Sequence, residues 1–281
     1  MGLKQIEERV GYMPILGIDY DKCTNCKSCL YSCFYIRNDK ENNRVVFNDP
    51  LHLCTMCGHC IGKCPANAFV HKDIGEVIEF IDNQDPYSMI SYNRLHNFMS
   101  AKRSIRQYKS KKISRQDMTK VINSMSYAAS GANIRTLRCL VISDDEKIKH
   151  LSDAIIDTML SDPTTTERYK SGLKLMRDRG RDPVFYKAPH VIVIYSDNNF
   201  DAMNATIALT TGMLSAQSLG LGSCWIGMAH MFLNGNREYK KDILDIEGRV
   251  WGVIIIGYPA VKFYRIPPRR FIPTRGLEEL D

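Results

Sequence analysis

The chain has 281 residues, 44% of them hydrophobic and 25% charged, with a formal net charge of +7 and ten cysteines. That length accommodates one large domain or two modest ones, and the composition is that of a soluble globular protein. No apolar run approaches the roughly 18–20 residues of a membrane-spanning helix, so a membrane protein is not expected.

The N-terminal MGLKQIEERV has no apolar signal-peptide core, and Ile6 stands where a myristoylation pattern needs Ser or Thr. Ten cysteines without an export signal predict a reducing cytoplasm and metal ligation rather than disulfides. Charge is unevenly placed: residues 1–90 hold nine Lys and Arg against twelve Asp and Glu, and residues 91–281 hold 29 against 19. The change of sign predicts a domain boundary near residue 90, with the turn-rich DNQDPYS at 82–88 as its hinge.

In the first part, ILGIDY, RVVF, AFVHK and EVIEFI read as short strands around two cysteine runs. One run is Cys23-x-x-Cys26-x-x-Cys29-x-x-x-Cys33, and the other is Cys54-x-x-Cys57-x-x-Cys60-x-x-x-Cys64-Pro65. A unit of strand and metal loop thus repeats at 31 residues, from Cys23 to Cys54. Three thiolates two residues apart wrap one 4Fe–4S cubane, and a fourth farther along reaches a second cluster. Zinc, the alternative, takes two well-separated pairs rather than a triplet with a distant fourth.

The runs resemble bacterial-type two-cluster ferredoxins over about residues 15–80. The resemblance implies two 4Fe–4S clusters, one on Cys23, Cys26, Cys29 and Cys64, the other on Cys54, Cys57, Cys60 and Cys33. Phe34 departs from it, standing where the first run would often have proline. His59 reads as a neighbour of the ligands, and Cys139 and Cys224 as buried thiols in apolar company.

Beyond residue 90 helices alternate with strands. Ser114 and Asp117 form a capping pair, after which Met118, Val121, Ile122 and Met125 share one helix face. LRCLVIS, VIVIY and VWGVIIIG read as strands, and the apolar 203–219 as a helix buried in the domain or at a subunit interface. Residues 162–188 are polar and weakly periodic, which predicts a lid or an excursion from the core. The densest positive stretch, KRSIRQYKSKKISR at 102–115, is by itself either a solvated surface or a strip that tracks nucleic-acid phosphates.

Four further elements bear on that choice: RSIR at 103–106, ASGAN at 129–133, GLGSCWIG at 220–227 and GYPAVKFYRIPPRR at 257–270. In this order they resemble the nitroreductase-like FMN flavoprotein family over roughly residues 95–275. The fold implied is α+β: a ferredoxin-like iron–sulfur domain over 1–88, then over 89–281 an FMN domain with a central, mostly antiparallel sheet flanked by helices. A homodimer binding FMN at the subunit interface is implied as well.

The resemblance places Arg103, Arg106 and one of Arg269 or Arg270 on the FMN phosphate, with Ser104 assisting. Arginine suits that role because its planar fork makes paired hydrogen bonds to a phosphate ester. Ser130 and Asn133 are implied at the ring or ribityl hydroxyls, and Ile226 and Gly227 bring main chain against the isoalloxazine. GLGSCW is not a dinucleotide fingerprint, because Trp225 occupies the third glycine position. Arg135, Thr136 and Leu137 replace the Gln-Pro-Trp of many relatives, so no substrate identity carries over, and no dedicated active-site acid is readable.

Joined, the two domains are expected to convert single electrons into hydride chemistry. A low-potential donor such as ferredoxin, or NAD(P)H, would supply the clusters, and FMN would reduce a small electron-poor compound such as a nitroaromatic or an activated alkene. The alternatives are an electron-transfer subunit serving a protein partner and a redox-responsive nucleic-acid binder using the 102–115 strip. Neither nucleic acid nor membrane is the expected partner.

Overall fold

A computed structural model describes residues 15–81 and 85–280; MGLKQIEERV with Ile6, and residues 82–84 of the expected hinge, lie outside the described residues. The chain divides into two compact units, Met1–Met89 with Gly131–Ile134, and Ile90–Ser130 with Arg135–Asp281.

The first unit contains four short strands, β1 (Ile15–Ile18), β2 (Ile36–Asp39), β3 (Arg44–Phe47) and β4 (Phe69–His71). β1 pairs with β4 and β2 with β3, both antiparallel. Each strand buries one large apolar residue: Ile15, Ile36, Val45 and Phe69. The five-residue helix α1 (His59–Lys63) and strand β2 were not foreseen, because both are shorter than one clear period of their pattern. EVIEFI is not a strand: residues 76–80 have no regular structure, and Ile78 and Phe80 are exposed. An alternating run becomes a strand only where an edge pairs with it.

The second unit is built on β5 (Arg138–Ile142), β6 (His190–Ser196), β7 (Gly222–Trp225) and β8 (Arg249–Gly257). They lie in the order β5-β6-β8-β7, and every neighbouring pair is antiparallel. Side chains alternate across such a sheet. Val191, Val193, Val253 and Ile255 therefore face α4 (Asp145–Ser161) and α7 (Gly227–Gly235). Ile192, Ile194, Ile254 and Ile256 face α3 (Arg115–Met125) and α6 (Ala202–Ser218).

Helix α3 starts as its sequence predicts, with the Ser114 hydroxyl accepting from the Asp117 N–H at 3.1 Å. Helix α2 (Tyr92–Ser100) precedes it, and α5 (Glu167–Asp178) falls in the polar stretch. That stretch is no simple excursion, since Leu173, Val184 and Phe185 are buried. Asp182 pins its end, accepting from the Ser152 hydroxyl at 2.7 Å and from the N–H groups of Val184 and Phe185.

His190, at the start of β6, is 4% exposed. Its Nε2 accepts from the Ile113 N–H at 2.9 Å, so the neutral ring carries its proton on Nδ1, 2.6 Å from the Ser143 hydroxyl. Burial first, then the Lys112 charge, pushes its pKa from 6.5 to about 4. The unfolded chain takes up this proton near pH 6.5 and the folded one only near 4. The stabilisation is therefore complete above about 6.5 and is lost as pH falls toward 4, at most about 3 kcal/mol. Urea melts of the second unit at pH 7 and pH 5 are expected to show this drop in the wild type and a much smaller one in His190→Gln.

Candidate functional site

The two cysteine runs share a backbone path. Left-handed residues occur at Asn25 (φ 52°) and Lys27 (φ 63°) in the first, and at Met56 (φ 55°) and Gly58 (φ 73°) in the second, at matching positions of the repeat. Left-handed steps turn backbone N–H groups into a concavity suited to an anion or an iron–sulfur cluster. Asp49, buried just before the second run, fixes its entry by accepting from the N–H of Leu53 at 3.0 Å and of Cys54 at 2.8 Å.

The thiols of the two runs influence one another electrostatically. Burial, and beyond it the charges of Cys64, Cys23 and Cys26, push the Cys29 thiol up. Burial and the charges of Cys54, Cys33 and Cys57 push Cys60 up to about 11. Cys54 is likewise raised, by burial first and then by Cys33, Asp49 and Cys57. Cys29, Cys54 and Cys60, raised in this way, hold their protons until a metal displaces them. Among the described residues no three His, Cys, Asp or Glu converge as ligands of a single ion. His59 is exposed at the start of α1. Eight cysteines in two repeated runs, on a matching backbone path, are a donor set that fits iron–sulfur clusters.

In the second unit the basic segment lies alongside two glycine-rich elements. Ser104 forms a parallel bridge with Ser223 of β7, and Tyr108 an antiparallel one with Pro259. The Ile105 N–H donates to the Ser223 carbonyl at 3.1 Å, and the Lys109 N–H to the Tyr258 carbonyl at 2.9 Å. This approach requires glycine at 222, where a Cβ would lie 2.5 Å from Ile105 Cγ1. RSIR, GSCWIG and GYP, well separated in sequence, are thereby brought together.

Around this junction the Ser223 hydroxyl is buried and lacks a hydrogen-bond partner. Lys102 Nζ donates to the carbonyls of Arg103 and Ser223 at 3.0 and 3.4 Å, and burial lowers its pKa. Arg103 donates one of its five N–H groups to the Ser100 carbonyl, and the Arg106 guanidinium stands 5.8 Å from the centre of the Tyr186 ring. Cationic and hydroxyl donors beside an unsatisfied buried oxygen suit an anionic ester such as the FMN phosphate.

The family model for nitroreductases matches residues 99–258, more than half of the chain. The chain belongs to the nitroreductase family. Its second unit is similar to the FMN reductase [NAD(P)H] of Bacillus subtilis, 23% identical over 62% of this chain and 70% of that protein. It is also similar in fold to a nitroreductase with bound FMN from Desulfitobacterium hafniense DCB-2, with a TM-score of 0.54 at 20% identity over 66% of this chain and 96% of that one. The N-terminal region is similar to a ferredoxin of Methanocaldococcus jannaschii, 37% identical over 20% of this chain and 39% of that protein. The chain spans only 10% to 39% of the length of the curated relatives matched by that region.

The other anticipated residues of this nitroreductase-family chain are placed as follows. Ile226 is buried and its N–H donates to the Val253 carbonyl at 2.8 Å, whereas Gly227 is exposed and opens α7, where first-turn N–H groups lack intrahelical partners. Arg269 and Arg270 lie exposed in a segment without helix or strand. Asn133, expected at the flavin, donates its Nδ2 to the carbonyls of Thr55 and Met56. Ser130 is half-buried just before the Gly131–Asn133 turn. Thr136 donates at 2.6 Å to Asp201, a fully buried carboxylate that also accepts from Ser196, Asn198 and Asn204. Asp201, Lys102, Asp49 and Ser223 were not foreseen, because no spacing or repeat singles out any one of them.

Proposed function

We propose that residues 1–88 carry two 4Fe–4S clusters and residues 89–281 one FMN, with a low-potential donor at one end and a small electron-poor acceptor at the other. The enzyme class, FMN-dependent oxidoreductase, follows from the family; the cluster number, electron route and substrate are the proposal. When bound, the clusters carry electrons singly, and the flavin gathers two and releases them as hydride from N5. The observation that carries this reading is the repeated backbone path of the two cysteine runs in a chain that also juxtaposes RSIR, GSCWIG and GYP.

The residues divide the work as follows. Cys23, Cys26, Cys29 and Cys64 hold one cluster, and Cys33, Cys54, Cys57 and Cys60 the other. Arg103 and Arg106, with Arg269 or Arg270, grip the phosphate by charge-assisted hydrogen bonds, while Ser104 and Ser223 offer hydroxyls to it. Lys102, already bonded to two carbonyls, holds the segment in place and adds positive potential. Gly227 presents a main-chain N–H to the ring edge, which Ile226 cannot do because its N–H is committed to the sheet. Ile226 packs, and Ser130 hydrogen-bonds the ribityl chain. The Bacillus subtilis relative, by its name, uses NAD(P)H; here cysteine-held clusters favour a ferredoxin-like donor. The active form is a cytoplasmic homodimer with neither nucleic acid nor membrane as partner.

Anaerobic purification followed by iron, sulfide and flavin assay tests this reading. About eight irons and one FMN per chain are expected. A colourless protein, or one containing zinc in place of iron, would refute it.

A further inference from the structure

We infer that Asn133 is a positioning residue of the second iron–sulfur site, its carboxamide clamping the Cys54–Cys57 loop from outside. The inference rests on the iron–sulfur reading above. Asn133 Nδ2 donates to the carbonyl of Thr55 at 2.9 Å and to that of Met56 at 2.7 Å. Both acceptors lie between two cluster cysteines, and Gly131–Ile134 belongs to the same compact unit as that run.

A peptide group is planar and trans, so a carbonyl held on one side sends the N–H of the following residue to the other. Clamping Thr55 and Met56 by their carbonyls therefore directs the N–H groups of Met56 and Cys57 into the loop. Hydrogen bonds to cluster sulfurs favour the more negative, reduced state and so raise the reduction potential.

The internal repeat shows why an outside clamp is needed here. At the position equivalent to Met56 the first run has Asn25, whose own Nδ2 ties that loop to the Asn43 carbonyl at 2.8 Å. The methionine side chain has no N–H to offer, so the second loop lacks the side-chain tie that the first carries within itself. Asn133 supplies it from elsewhere in the chain. Its backbone is shaped accordingly: Ala132 and Asn133 are consecutive left-handed residues with φ of 50° and 51°. Such a pair is costly outside glycine and persists where surrounding contacts demand it.

The test is an EPR-monitored redox titration of the intact holoprotein, comparing wild type with Asn133→Asp, which keeps the shape but cannot donate, and with Asn133→Ala. In both variants one cluster midpoint is expected to move to lower potential while the other stays in place, with flavin content unchanged. Iron of that one cluster should be lost to a chelator roughly tenfold faster, for the loss of two neutral hydrogen bonds. Asn25→Asp is expected to move the other midpoint instead. Two unmoved midpoints, two that shift together, loss of all the iron from both variants, or loss of flavin alone would each overturn the assignment. A wild-type protein without two cluster signals would instead sink the parent reading.

Discussion

Removing iron from the purified protein with an anaerobic chelator is expected to unfold the first unit and leave the second folded. The core of the first unit consists of Ile15, Ile36, Val45 and Phe69 together with Cys29 and Cys60, with Cys33, Cys54 and Cys64 packed against it. Strands of three or four residues cannot cover such a core, and a core this small supplies only about 3–5 kcal/mol by apolar burial alone. Metal bound to structural thiolates contributes on the order of 10 kcal/mol of folding free energy, which vanishes with the metal. The second unit has its own two-faced core around β6 and β8 and holds no anticipated cluster ligand. Hydrogen exchange reads both at once: amides of residues 15–81 should lose protection as the visible absorbance bleaches, while those of β6 and β8 keep theirs. Retained protection in 15–81 would mean that the four strands suffice by themselves.

The second large effect concerns the flavin. The double substitution Arg103→Ala with Arg106→Ala is expected to weaken FMN binding by about a hundred- to ten-thousand-fold, from the loss of two charge-assisted contacts of about 1.5–3 kcal/mol each. The protein should therefore purify without its yellow cofactor and with full iron. Arg106 is exposed and Arg103 half-exposed, so the fold should survive; unchanged far-ultraviolet circular dichroism would verify that. Flavin retained at wild-type stoichiometry would place the phosphate elsewhere on the chain. Single Arg269→Ala and Arg270→Ala variants then show which C-terminal arginine takes part, by which of them lowers flavin affinity.

Much of this was readable before any coordinates. Spacing of one residue type survives almost any fold, so the cysteine runs announced themselves, and β5, β6 and β8 were visible as apolar runs such as VIVIY, whereas β7 was not read as a strand. Ser114 with Asp117 was legible because a helix cap is local chemistry. What stayed hidden is chemistry between distant residues. Nothing near Asn133 reveals that its amide meets Thr55 and Met56, and nothing in IALTTG reveals that the helix starts on the buried acid Asp201. EVIEFI misled because alternation describes a strand's faces and is silent about whether an edge exists to receive it.

The membership of Gly131–Ile134 in the first unit has a practical corollary for anyone dissecting the gene. The two modules are interleaved rather than strung end to end, so no single cut separates them cleanly. A fragment ending at Met89 encodes both cysteine runs but omits the four-residue graft, and one starting at Ile90 carries the graft without its bed. Transplanting the N-terminal module onto another flavoenzyme would need a matching asparagine turn in the recipient.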